Sequence, residues 1–105
     1  MDTKLAFKMF LKPGFEAEYE RRHAALWPEL KNLLSEVGVY DYSIFWDRDT
    51  NLLFAVQKVK GDGGSQDLDQ NPIVKKWWDY MADIMEVNED NSPISVPLKD
   101  VFFLA

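Results

Sequence analysis

Residues Phe15 to Val37 read FEAEYERRHAALWPELKNLLSEV, and the periodicity of this stretch decides the fold. At about 100° per residue, Phe15, Tyr19, His23, Leu26, Leu30, Leu33, Leu34 and Val37 fall within one sector of a helical wheel roughly 100° wide. Glu18, Arg21, Glu29, Asn32 and Glu36 lie outside it. The stretch is an amphipathic helix whose apolar stripe faces a core, and the only histidine of the chain, His23, lies on that stripe. Pro28 falls inside the pattern, where it removes a backbone donor and crowds the preceding turn. A kink or restart is therefore expected near Trp27, with the helix continuing to Glu36. Gly38 is a natural terminator.

Outward from this helix the pattern changes period. Leu5 to Leu11 sets Leu5, Phe7, Met9 and Leu11 against Ala6, Lys8 and Phe10, which reads as a strand stopped by Lys12-Pro13-Gly14. Val39 to Trp46 sets Tyr40, Tyr42, Ile44 and Trp46 against Val39, Asp41, Ser43 and Phe45, a second strand with an aromatic face. DRDTN, residues 47 to 51, has the composition of a short turn, and Leu52 to Lys60 returns as a third strand, so the two form an antiparallel hairpin. Gly61 to Ser65, GDGGS, reads as a mobile loop. From Ile73 a second amphipathic helix collects Ile73, Val74, Trp77, Met81, Ile84 and Met85 in one sector, with Trp78 at its margin. Glu86 to Pro97 is polar and turn-forming, and Leu98 to Leu104 is expected to be the fourth strand.

The order βαββαβ is that of an α+β, ferredoxin-like domain spanning residues 1–105, a four-stranded antiparallel sheet with both helices on one side. Such a sheet should present a wet, polar second face. Both parities of the first strand and much of the third are nevertheless apolar. A second copy of the chain packed sheet against sheet, giving a homodimer in the form of a dimeric α+β barrel, is the expected cover.

Composition narrows the function. Twelve Lys and Arg against 18 Asp and Glu give a formal charge of −6, which opposes binding to nucleic acid or to an anionic membrane surface and leaves a neutral small molecule as the better fit. Cysteine is absent, which excludes disulfides, a thiolate nucleophile and zinc–thiolate sites, and a single histidine excludes a multi-histidine metal site within one subunit. No apolar run reaches the roughly 18–20 residues of a membrane span. The start MDTKLAFKMF lacks the pattern of a signal peptide, so a cytoplasmic protein is expected. There is no GxxxxGK[ST], GxGxxG or GxSxG element.

His23 is the leading catalytic candidate. A lone histidine on an apolar face is more often a partly buried residue with a satisfied hydrogen bond, but Tyr19 lies one turn before it and Trp27 one turn after. Burial among aromatic rings would lower its pKa, and a nearby carboxylate would raise it. Tyr42, Trp77 and Trp78 are the next candidates. Trp77 is central in its stripe and suits a core equally well. Trp78, at the margin, should leave a large ring half exposed unless something stacks on it. Tryptophan faces and tyrosine hydroxyls suit a sugar, whose C–H patches pack on rings while its hydroxyls take hydrogen bonds. Asp41, between two tyrosines, is read as pointing to water at an edge.

The segments AFKMFLKPGFEAEYERRHAALWPEL, NLLFAV, WWDYMADIM and NEDNSPISVPLKDVFFL resemble the L-rhamnose mutarotase family in nearly the same order and spacing through the whole chain. The combination of Tyr-x-x-x-His with Trp-Pro-Glu-Leu, a Trp-Trp helix and an Asp-Asn-Ser-Pro turn carries the resemblance. It implies a ferredoxin-like dimer that interconverts the α and β anomers of L-rhamnose with no metal or organic cofactor. It further implies His23 as the catalytic proton donor and Tyr19, Tyr42, Trp77 and Trp78 as sugar-binding residues. Ala24, directly after the histidine, and Gly61 to Asn71 depart from the family pattern. The chemistry suits these residues. Anomer exchange needs the ring oxygen protonated while a base takes the proton of the anomeric hydroxyl, and His23 is the only side chain with an unperturbed pKa near neutrality. The second proton partner is open between Tyr19 and a bound water. Two other readings use the same aromatics: a non-catalytic small-molecule-binding module of the same fold, and a cofactor-free oxygenase. Fold does not separate them, whereas the role of His23 does.

Overall fold

A computed structural model describes residues 2–61 and 63–105. Eight-residue β1 (Thr3–Phe10) is followed by α1 (Glu16–Ala24), α2 (Pro28–Glu36), the hairpin β2 (Val39–Asp47) and β3 (Leu52–Val59), a 3₁₀ turn at Ser65–Asp67, α3 (Pro72–Met81) and a short β4 (Ser95–Pro97). The sheet is antiparallel throughout in the order β2-β3-β1-β4, the arrangement expected of a ferredoxin-like α+β domain. Phe7 and Met9 of β1 and Leu53 and Ala55 of β3 point to one face. They share a core with Tyr19, Leu30, Val74, Trp77 and Met81 of the helices, so the helices cover that face. The alternate residues, among them Phe45 at 62% exposure, form the open face.

The long helix is two helices. Trp27 is extended, with φ −60° and ψ 130°, because the ring of Pro28 excludes the α conformation from the residue before it. Pro28 then serves as the first residue of α2, where no amide hydrogen bond is required of it. The break lets Tyr19 and Leu30 both reach the core, but Val37 now caps α2 and is 41% exposed rather than packed. The second amphipathic helix is also shorter than its sequence pattern. Asn71 caps it by accepting the Ile73 N–H at 2.9 Å, and it ends at Met81. Ile84 and Met85 stay buried through pairing instead, since Lys12 N–H donates to the Ile84 carbonyl at 2.9 Å and Leu11 bridges Met85.

The fourth strand lies at Ser95–Pro97, not at Leu98–Leu104. Residues 86–94 form a tighter turn than their composition suggests. Asn88 N–H donates to the Ser92 carbonyl at 2.8 Å, Asn91 takes a φ of +67°, and Ile94 N–H closes back on the Glu86 carbonyl at 3.1 Å. The chain therefore meets the edge of β1 at Ser95, and Pro97, which has no donor, ends the ladder after three pairs. Leu98 still donates to the Ala6 carbonyl at 2.8 Å, and Val101, Phe102, Phe103 and Leu104 beyond it are exposed.

β2 contains the feature that positions the site. Between Tyr40, opposite Lys58, and Ser43, opposite Val56, β2 advances one residue more than β3, a β-bulge with Asp41 at φ +48°. An extra residue reverses the parity of everything beyond it. Val39 and Tyr42 thus both turn toward the helices while Tyr40 turns outward, so Tyr40 does not share the face of Tyr42. Asp41 points to solvent, 3.4 Å from Lys58 Nζ, as read from the sequence.

Candidate functional site

Between the helices and the sheet lies an open cleft of about 1230 Å³. Tyr19, His23, Tyr42, Trp77 and Trp78 all line it, so the sequence-selected residues from α1, β2 and α3 come together in one place. The Tyr19 and His23 rings stack at 4.2 Å between centroids, as their spacing of four on α1 dictates, and Trp77 meets the imidazole edge-on at 5.3 Å. Trp27 in turn packs edge-on against Trp77 at 5.1 Å. Trp78 is not half exposed: it is 5% exposed, packed with Val74, Met81 and Met85 in the core cluster while one part of it reaches the cleft.

His23 Nδ1 lies 3.1 Å from the carbonyl oxygen of Tyr19. A carbonyl can only accept, so Nδ1 carries the proton. In the neutral ring Nε2 then holds the lone pair. Among the described residues Nε2 has no hydrogen-bond partner. Burial moves the pKa of His23 below its ordinary value, with the Tyr19 carbonyl opposing the shift. The resting group is a neutral imidazole with a fixed tautomer. Burial also pushes the Tyr19 hydroxyl far up, and the nearby Tyr42 hydroxyl adds to this, so Tyr19 stays a phenol and a hydrogen-bond donor across the physiological range.

The position of α1 depends on a residue that sequence reading passed over. Arg22 donates to the Tyr80 carbonyl at 2.7 Å, to Asp83 at 2.9 and 3.2 Å and to Glu18 at 2.7 Å, with its guanidinium 4.5 Å from the centre of the Tyr80 ring. It ties the histidine-bearing helix to the C-terminal end of α3, where a cation is favoured. The sequence carries little signal for this role, since an Arg-Arg pair on a solvent face looks like ordinary surface charge. Gln57 and Ser65 were also missed. Gln57 follows Leu53 and Ala55 in the inward parity of β3 and has no exposure, and its amide holds Ser65 at the cleft wall. A polar residue in phase with a core-facing row was the available signal. Through it the Gly61–Ser65 loop is anchored at its far end, with Gly64 and Ser65 buried; Asp62 lies outside the described residues.

Among the described residues no group of three or more His, Cys, Asp or Glu is placed to hold a metal ion. No helix among them is long and apolar enough to cross a membrane. The scaffold and site define a ferredoxin-like α+β protein with an aromatic-walled cleft that holds the one histidine of the chain. The L-rhamnose mutarotase family matches residues 4–104, and the chain belongs to that family. It is 73% identical over 99 residues to an L-rhamnose mutarotase of Phocaeicola vulgatus, covering 94% of this chain and 95% of the relative. Identity to an L-rhamnose mutarotase of Bacteroides thetaiotaomicron is 72% over 99 residues, with the same coverage. The crystal structure of an L-rhamnose mutarotase from Formosa agariphila superposes with a TM-score of 0.91 at 58% identity, over 98% of this chain and 99% of that one.

Proposed function

We propose that the protein interconverts the α and β anomers of L-rhamnose by acid–base-assisted opening and closure of the sugar ring. The observation that carries the reading, beside family membership, is a neutral histidine of fixed tautomer in a cleft walled by tyrosine and tryptophan. In the ring-opening half, His23 Nε2 takes the proton of the anomeric hydroxyl. The O1–H electrons form the C1=O1 bond, the C1–O5 bond breaks, and O5 takes up a proton. Rotation about C1–C2 presents the other face of the aldehyde. On closure O5 attacks C1, its proton leaves, and the imidazolium returns its proton to O1. His23 is thus the proton donor of the closing half. Tyr19, a phenol at rest, or a water it holds, gives its proton to O5 on opening, passing through a transient phenolate or hydroxide, and takes that proton back on closure. Trp77 and Trp78 offer apolar walls to the C–H face of the sugar, and Tyr42 offers a hydroxyl. No metal or organic cofactor enters these steps.

The reading is tested by saturation-transfer NMR of L-rhamnose with catalytic amounts of the protein. Faster exchange between the two anomeric protons is expected, and an unchanged exchange rate would overturn it.

We further infer a homodimer through the open sheet face. Phe45, Val96 and Leu98 are exposed on or beside that face, and Ala6, Phe54 and Val56 stand in the rows between them. An apolar sheet face of this kind is rarely left to water in a soluble chain. Light scattering should give twice the chain mass at micromolar concentration, and Phe45→Asp should halve it. A single-chain mass for the unaltered protein would refute the dimer. The absence of cysteine and of a membrane-spanning helix among the described residues supports a cytoplasmic location.

A further inference from the structure

One buried polar group has no part in the proton transfers. Gln57 is fully buried in the middle of β3, and burying an amide is unfavourable unless it is hydrogen-bonded on both sides. Its partner is Ser65, which ends the glycine-rich loop and lines the cleft. Ser65 N–H can only donate, and it points to Gln57 Oε1 at 2.8 Å. That bond fixes which way round the amide sits, so Gln57 Nε2 is the atom 2.9 Å from Ser65 Oγ and must donate to it. Gln66 Nε2 approaches the same oxygen at 3.3 Å. A serine hydroxyl has two acceptor positions and one proton. With both acceptor positions taken, the Ser65 proton is directed to the remaining neighbour, the Tyr42 hydroxyl oxygen at 3.4 Å. The distance is long for an O–H···O bond, and bonds of this kind commonly tighten only in the substrate complex.

The geometry points to Gln57 and Ser65 as positioning residues that fix the Tyr42 hydroxyl as a hydrogen-bond donor to a sugar oxygen. With its oxygen occupied by the Ser65 proton, Tyr42 has its own proton free for the cleft. The bulge at Asp41 aims the ring there, and the relay from β3 sets the direction of the bond it makes. Gly64 belongs to the same device. A Cβ at that position would stand 2.5 Å from Gln57 Oε1 and 2.8 Å from Leu5 Cδ1, so a larger residue would displace the glutamine amide that holds Ser65. This inference rests on the mutarotase reading for the identity of the sugar, but the relay itself is a property of the free protein.

Two double-mutant cycles of Ser65→Ala with Tyr42→Phe separate the two levels. Ser65→Ala keeps the backbone bond to Gln57 and should leave the fold intact. In urea denaturation of the free protein, the Ser65–Tyr42 bond predicts that the double variant loses less than the two single losses combined, by roughly threefold or more in the unfolding constant. In anomer exchange, Ser65→Ala should raise KM roughly threefold to tenfold with kcat within about twofold, because the Tyr42 bond holds substrate and transition state alike. In the Tyr42→Phe background the same change should alter KM by less than about twofold. A purely structural Ser65 would give the same loss in both backgrounds, and that result overturns the proposal. If the unaltered protein fails to accelerate exchange at all, the sugar reading falls, and additivity in the urea cycle would then remove the relay as well.

Discussion

Replacing His23 by phenylalanine removes the proton-transfer atom while leaving a ring where the imidazole stacks on Tyr19 at 4.2 Å and meets Trp77 at 5.3 Å. The packing loss is then confined to the Nδ1–Tyr19 carbonyl bond, about 1 kcal/mol for a partly buried hydrogen bond. The catalytic loss is larger. General acid–base assistance is worth about 10²- to 10⁴-fold, or about 3–5 kcal/mol of barrier, and the chain has no second imidazole to replace it. Saturation-transfer NMR should show His23→Phe slowing exchange by at least about a hundredfold in kcat. The pH profile supplies a second reading. Burial lowers the His23 pKa below its ordinary value of 6.5, and the working form in the opening step is the neutral ring. The kcat/KM of the unaltered protein should therefore be flat above pH 6.5 and fall only below it, tenfold per pH unit once the imidazolium dominates. Stability follows the same sign: the unfolded chain binds the proton more readily, so folding free energy is lost as pH drops from 6.5 through the folded value. That part of the loss should vanish in His23→Phe. Exchange within threefold of the unaltered rate in His23→Phe, or an acid limb lying above pH 6.5, would refute the assignment.

Other perturbations probe the frame that holds this residue. Arg22→Met should cost about 1–2 kcal/mol, since the carboxylates it binds are 31% and 66% exposed and screened while the Tyr80 carbonyl bond is lost outright. Differential scanning calorimetry should place the Tm about 5–10 °C lower, and an unchanged Tm would mean that the clamp between α1 and α3 is not structural. Gly64→Ala should destabilise by about 1–3 kcal/mol because its Cβ meets the Gln57 amide at 2.5 Å. Gly63→Ala, whose nearest neighbour is at 3.5 Å, should be tolerated, and equal urea midpoints for the two variants would contradict the packing described.

The fold was legible wherever one period ran unbroken. The alternation in β1 and β3 and the stripe of residues 15–37 gave the order of elements, because strand and helix faces are set by spacing alone. The departures have local causes that spacing does not contain. Pro28 announced a break, but whether it kinks or restarts a helix depends on Trp27 adopting an extended backbone. The bulge at Asp41 was hidden because VYDYSIFW keeps a clean period of two in letters while the backbone inserts a residue, and aspartate tolerates the positive φ without advertising it. The fourth strand departs from its sequence pattern for a related reason. VFFL is the most strand-like run of the C-terminal segment, yet the turn at Asn88–Ser92 delivers Ser95–Pro97 to the vacant edge of β1 first.

The cleft gathers the positions at which each element departs from its own rule. An apolar helical stripe carries an imidazole at His23, an alternating strand is bulged so that Tyr42 turns inward, and an inward-facing row of Leu53, Ala55 and Val59 is interrupted by Gln57. Each departure alone has an ordinary explanation, which is why His23 by itself was more simply a satisfied core histidine. What distinguishes a site from three unrelated irregularities is that the departures converge and are mutually satisfied. Gln57 is bonded to Ser65, Ser65 to Tyr42, and His23 to the Tyr19 carbonyl, with no buried side-chain polar atom left without a partner among the described residues. A sequence that only needed to fold would have filled Gln57 with an aliphatic residue and kept β2 regular; folding cost accepted at three converging positions is the mark of a surface shaped for a ligand.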